Sequence, residues 1–224
     1  MLKGENMKYS FIRKEVLDFI NQEVKPKYKT FDKAHNLSHF KFVTQNCVEY
    51  ASELINKGQY VDLEIAYVVG ALHDVGIEKG REGHAKSSGK FVRECKMMKD
   101  LFDDETIELI AQAVEDHSSH LEYEPRSIYG KIVADADRNN SLYLVFSRPV
   151  KFGVKNEPQF NREEQIERVY QFVNKKFGRN GYVNYWLNIP QTTKEQQKVW
   201  ELLDKPIECK AYIAGIYDEV TKGK

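Results

Sequence analysis

The chain has 224 residues, 41% hydrophobic and 30% charged, enough apolar material to fill one large domain or two small ones. Lys+Arg and Asp+Glu number 34 each, so the formal net charge is zero; this argues against a strongly basic nucleic-acid footprint or an acidic tail and leaves room for a local basic pocket. Three scattered cysteines (Cys47, Cys95, Cys209) with no CxxC pair read as reduced thiols of a cytoplasmic protein, the start MLKGENMKYS lacks the apolar stretch of a secretion signal, and no apolar run approaches the ~20 residues that span a bilayer.

In chain order, Phe11, Val16, Phe19 and Ile20 recur at helical spacing over 10–23, which predicts an N-terminal helix within residues 1–34. Over 38–57, Phe40, Val43, Cys47, Tyr50, Ala51 and Leu54 share one helix face. Asp62 is placed to cap a third helix, 63–74, apolar nearly all round and so expected at the centre of a bundle, with Gly76 as its stop signal. A fourth helix is expected over 84–100. A fifth, 104–117, is capped by Asp103 and carries Ile107, Ile110, Val114 and His117 on one stripe. A sixth starts after Pro125, with Ser127 as cap, and runs to about 147. Residues 148–160 hold two prolines and no period and read as a loop; helices resume at 162–177 and 193–220, around an aromatic-rich stretch containing Tyr182, Tyr185 and Trp186. These aromatics suit loop anchors better than base-stacking groups.

The residues that carry chemistry lie between 35 and 138. His73-Asp74 ends the most apolar helix, and two ionisable groups there need partners. An Asp–His hydrogen bond is one solution; a metal is the other. His39 opens an amphipathic helix, His117 continues an apolar stripe, and Asp137 shares a face with Val133 and Leu144, so each is expected to point inward. Asp135, on the Ile128–Ile132–Leu142 face, competes with Asp137. Inward His and Asp residues on successive helices are how bundle cores assemble metal sites, and imidazole with carboxylate but no thiolate suits Mn, Fe, Ni, Co, Zn or Mg.

The phrases HNLSHFKFV, ALHDVGIEKG, AVEDHSSH and KIVADADRNN, in that order, resemble the motifs of the HD superfamily of metal-dependent phosphohydrolases. The resemblance spans 35 to about 147. It implies an all-α helical bundle of HD-domain type over 35–147, with the N-terminal helix (1–34) packed on it and residues 148–224 as a helical C-terminal extension of the same domain. It implies His39, His73, Asp74 and Asp137 as metal ligands, with His84 and His117 as additional ligands where two ions are bound or as phosphate contacts where one is. The activity implied is cleavage of a phosphoester or phosphoanhydride, of a nucleotide by default, by metal-activated water. In that scheme Asp74, Asp116 and Arg138 are catalytic candidates, and Lys79, Lys86 and Arg138 are substrate-binding candidates; Arg81 is a further cation near the motif. The expected partner is a small phosphate compound, with no membrane and no stable nucleic-acid partner, and a homo-oligomer is compatible. His35 is read as a helix cap and His120 as a loop residue. The chain departs from the pattern at Phe42, where many members carry arginine three residues after the first ligand, and it has no GYP signature. Two other classes stay open: a degenerate HD-fold sensing or scaffold protein, and a di-iron HD-fold oxygenase.

Overall fold

The computed structural model describes residues 10–31, 35–80, 82–119, 121, 123–138 and 141–222. It divides into two compact units, one formed by 1–138 with 185–189 and the other by 139–184 with 190–224. Among the described residues the regular structure is helical throughout, and no helix is long and apolar enough to cross a membrane.

The first unit begins with α1 (Lys14–Phe19), a π turn (Ile20–Val24) and α2 (Lys25–Tyr28), so the N-terminal helix runs one turn further than the apolar period suggests. Pro26 stands in the first turn of α2, where a missing N–H is tolerated. Then come α3 (Leu37–Asn56) and α4 (Leu63–Leu72). Asp62 caps α4 as expected, its carboxylate accepting from the Glu64 and Ile65 N–H groups. Seven of the ten α4 residues are buried, which makes it the bundle's central rod. A 3-10 turn (Val75–Lys79) follows, then α5 (His84–Glu94), α6 (Lys96–Leu101), α7 (Asp104–Glu115) and α8 (Ile128–Arg138). The expected fourth helix is thus two, broken at Cys95, whose extended backbone (φ −67°, ψ 118°) interrupts the ladder.

Gly76 does not act as a left-handed stop: α4 has ended by Leu72. Its role is close approach. A Cβ at Gly76 would stand 2.3 Å from the Ser88 nitrogen and 2.6 Å from the His84 carbonyl, so only glycine lets the turn after Asp74 lie against α5. Gly83, the residue before α5, has φ +70°, a left-handed conformation that glycine adopts without strain.

The second unit holds α9 (Leu142–Asn156), α10 (Arg162–Phe177), α11 (Pro190–Leu203) and α12 (Pro206–Thr221) around Phe146, Val150, Val169, Val173, Cys209 and Ile213. Here the sequence reading is corrected. The expected helix to 147 ends at Arg138, and 148–156, expected as loop, is helical. Ser141 starts a new helix by accepting from the Leu144 N–H, and Pro149 sits inside it. The Arg168 guanidinium donates to the Pro149 carbonyl at 2.6 Å. Likewise 193–220 is two helices, because Pro206 restarts the chain at a first-turn position.

Ile110 is fully buried in the first unit and Tyr60 is 94% exposed. Ile110→Ala is expected to lose about 2–5 kcal/mol in a urea melt and Tyr60→Ala to stay within about 0.5 kcal/mol. On the surface of α7, Arg93 and the Gln112 amide hold the Glu108 carboxyl down at about 2. A depressed carboxylate adds stability that is complete above its ordinary pKa of 4.5 and is lost as pH falls toward 2. Melting temperatures of Glu108→Gln and the parent should therefore converge between pH 4.5 and 2.

Candidate metal centre

Every donor of the site sits at a helix end. Asn36, rather than His35, caps α3: its side chain accepts from the Ser38 and His39 N–H groups at 2.9 and 3.3 Å, which sets His39 in the first turn. His73 and Asp74 follow the last residue of α4, His84 is the first residue of α5, His117 lies two residues past α7, and Asp137 is the penultimate residue of α8.

Tyr28 fixes the His-Asp turn. Fully buried, it donates its hydroxyl to the Ala71 carbonyl at 3.0 Å and accepts the Asp74 N–H at 3.2 Å, and its ring packs 4.9 Å from Phe40. Sequence reasoning passed over Tyr28, because nothing local to KPKY signals a partner 43 residues away.

The donors converge. His39 Nε2 lies 3.1 Å from His73 Nε2, 3.5 Å from Asp74 Oδ2 and 3.2 Å from Asp137 Oδ1. His73 Nε2 is 3.1 Å from the same Asp74 oxygen. On the other side, Asp74 Oδ1 is 3.3 Å from His84 Nε2 and 3.5 Å from His117 Nε2, and those two nitrogens are 3.0 Å apart. Asp74 thus offers one oxygen to each of two donor sets, His39–His73–Asp74 and Asp74–His84–His117.

The tautomers suit this cluster to a cation rather than to a hydrogen-bonded knot. His73 Nδ1 faces the Gly70 carbonyl at 2.8 Å and His117 Nδ1 faces the Val114 carbonyl. A carbonyl only accepts, so each Nδ1 carries a proton, and in its neutral form each ring turns a bare Nε2 lone pair into the cluster. Lone pairs then meet carboxylate oxygens, and among the described residues the buried Asp74 Oδ2 has no hydrogen-bond donor. Donors about 2.1 Å from a shared ion are about 3.0 Å apart at right angles and about 3.4 Å apart at the tetrahedral angle, which is the spacing found here. Burial pushes His39 down, but Asp137 and Asp74 outweigh it and raise His39 to about 9. Burial pushes Asp74 up, and the imidazoles, His73 first, outweigh it and hold Asp74 well below the usual carboxylate range. Positive charge is drawn in from every side.

Of the sequence candidates, His39, His73, Asp74, His84, His117 and Asp137 come together. Asp135 does not: it is turned to the 185–189 segment, accepting from the Trp186 and Leu187 N–H groups at 2.9 and 2.8 Å, and burial raises it to about 7. Trp186 and Tyr185, whose hydroxyl donates to the Arg138 carbonyl at 3.4 Å, are anchors of that segment. Asp116 is fully buried and turned to Arg126 and Tyr123, accepting the Arg126 N–H at 2.7 Å and its Nη2 at 2.8 Å. Arg138 is 6% exposed and donates Nη2 to the Ser118 carbonyl at 2.7 Å. Lys86 is exposed and two residues past His84, on the far side of α5. The Lys79 side chain, Arg81 and His120 lie outside the described residues. His35 is closer than its sequence context suggests, with its ring 6.0 Å from that of His39 and 6.3 Å from that of His84.

Residues 36–139 match the HD domain family, the family that the motifs resemble, and the His/Asp cluster within them is one that could hold a metal ion. A solved structure described as a predicted HD superfamily hydrolase, from an uncultured Thermotogales bacterium, is 26% identical, with 78% of this chain and 94% of that one covered and a TM-score of 0.48. No curated protein matches the chain.

An ion that binds only the folded state raises stability by about 2.7 kcal/mol at a hundred times its dissociation constant, roughly 5–10 °C for a chain of this size. Adding Mn²⁺, Co²⁺ or Ni²⁺ to chelator-treated protein should raise the melting temperature by that amount. Asp74→Ala should lose both the shift and the metal content measured by plasma mass spectrometry, with helical circular dichroism retained.

Proposed function

We propose that this HD domain is a metal-dependent phosphohydrolase that cleaves a phosphoester or phosphoanhydride, of a nucleotide in particular, with two divalent cations sharing Asp74. The observation that carries the reading is the division of the Asp74 carboxylate between two donor sets. In this reading His39, His73 and Asp137 complete one set, and His84 and His117 the other. A divalent cation held there supplies Lewis acidity and lowers the pKa of a coordinated water, toward about 7 in the best zinc case.

The chain's own residues supply the rest. His73 and His117, each fixed in one tautomer by a backbone carbonyl, act as neutral donors, so only Asp74 and Asp137 bring negative charge. Two divalent ions against two carboxylates leave excess positive charge for a phosphoryl group, which reduces the need for an arginine at Phe42. Exposure sets the direction of approach. His73, Asp74 and His117 are 0%, 2% and 3% exposed, whereas His84 and Asp137 are 25% and 30% exposed. Substrate therefore enters past His84 and Asp137. His35, beside His39 and His84, is assigned to that side as a contact to a phosphoryl oxygen or to the leaving group. The nucleotide assignment follows from the motif resemblance.

The test is a panel of nucleotides and p-nitrophenyl phosphate run with Mn²⁺, Co²⁺, Ni²⁺, Fe²⁺, Zn²⁺ and Mg²⁺, reading phosphate release. Release is expected only with added cation, to fall by at least about 10³-fold in Asp74→Ala and by roughly 10²-fold in His35→Ala with metal content unchanged. Dioxygen uptake with iron and no phosphate release would make the protein an oxygenase on the same donors. Tight metal binding with no turnover of any kind would make it a sensing protein.

A further inference from the structure

Arg138 stands next to Asp137 and is buried, which suits neither a solvated surface cation nor a group at the mouth of the site. Its Nη2 reaches the Ser118 carbonyl at 2.7 Å and the His117 carbonyl at 3.5 Å. These two residues form the turn that carries His117 beyond α7, whose last carbonyls have no partner in the helix itself. The same turn is held from its other side. Asp116, fully buried, accepts from the Arg126 backbone and guanidinium, and Arg126 Nη2 also donates to the Gln112 carbonyl at 3.0 Å. Two arginines thus grip three consecutive residues. Arg126 acts on the carboxylate before His117, and Arg138 on the carbonyls of His117 and the residue after it.

The two grips differ in where they are rooted. Arg126 belongs to the segment that links α7 and α8. Arg138 is the last residue of α8, and the residue before it sends its carboxylate to His39. Adjacent residues of one helix end therefore reach the two donor sets, Asp137 directly and Arg138 through the backbone that aims His117.

We infer that Arg138 is a positioning residue that ties the second donor set to the first, so that the ion at Asp74–His84–His117 depends on Arg138 while the ion at His39–His73–Asp74–Asp137 does not. The inference rests on the two-ion reading above. Metal affinity falls steeply when an imidazole is displaced, and loss of a group that orients a ligand typically weakens binding by roughly 10–100-fold.

The test is Co²⁺ binding to the full chain, by calorimetry and plasma mass spectrometry, with His84→Ala as the reference that lacks the second set. Arg138→Met is expected to hold the first ion with parental affinity and the second roughly 10–100-fold more weakly, and its Co²⁺ absorption spectrum should resemble that of His84→Ala. Arg138→Lys keeps a buried cation with one reach to a carbonyl and should restore part of the second affinity; it also serves as the folded variant should Arg138→Met fail to fold. A merely structural role would lower the melting temperature without separating the two ions. Parental protein with two ions and Arg138→Met with two at unchanged affinity overturns the tie and leaves the two-ion reading standing. Parental protein that takes up a single ion overturns both. Unchanged metal binding with a raised KM for substrate would instead return Arg138 to the role of a phosphate contact.

Discussion

The structure turns on two imidazoles that, in their neutral form, cannot donate where they point. His73 and His117 each spend their ring proton on a carbonyl three residues back, and the opposite nitrogens are aimed at one carboxylate. Lone pair against lone pair in a buried space is unfavourable unless positive charge lies between. The remainder of the first unit can be understood as the scaffold that holds this arrangement against its own repulsion.

That scaffold works at several removes. The apolar body of α4 holds His73 and Asp74 in the middle of the bundle, where burial leaves the turn little freedom. Tyr28 ties both sides of the turn, linking the N-terminal helices to the site by two hydrogen bonds. Gly76 lets α5 dock so closely that its first residue, His84, reaches Asp74. Asn46 of α3 donates to the Ala136 carbonyl, one residue before Asp137, and keeps α3 and α8 in register where His39 meets Asp137. None of these residues touches a reacting group, yet each constrains one donor.

The donors were legible because metal ligation demands particular residue types, and because His39, His117 and Asp137 continue apolar helical faces that betray their direction. What the sequence does not carry is partnership at long range. Asp135 and Asp137 differ by two residues and so by about 200° around α8; which one faces His39 depends on a segment 50 residues later that draws Asp135 to its own N–H groups. Asp116 and Arg138 look like site residues because they adjoin donors, and adjacency along a helix end turns a side chain away as readily as toward. His35 and Tyr28 have the reverse history, one in a bend and the other at the end of a four-residue helix, neither with a period to read. The helix breaks at Cys95 and Asp204–Lys205 and the persistence of helix through Pro149 were hidden as well, because an apolar period marks a buried face and not where the backbone ladder stops.

Helix polarity gives the site its sign. Asp74, His117 and Asp137 are delivered by the C-terminal ends of α4, α7 and α8, where unpaired carbonyls amount to about half a negative charge per helix. A carboxylate is disfavoured at such an end and a cation is favoured, so three helix termini and two carboxylates together make a place that is poorly satisfied by any arrangement of protein groups alone. His39 and His84 come from helix N-termini, where the polarity is opposite. They also stand nearer to the open side than His73. Cation-favouring helix ends on the buried side and imidazoles from anion-favouring ends toward solvent form a gradient of polarity, and that gradient is built from backbone before any side-chain charge is counted.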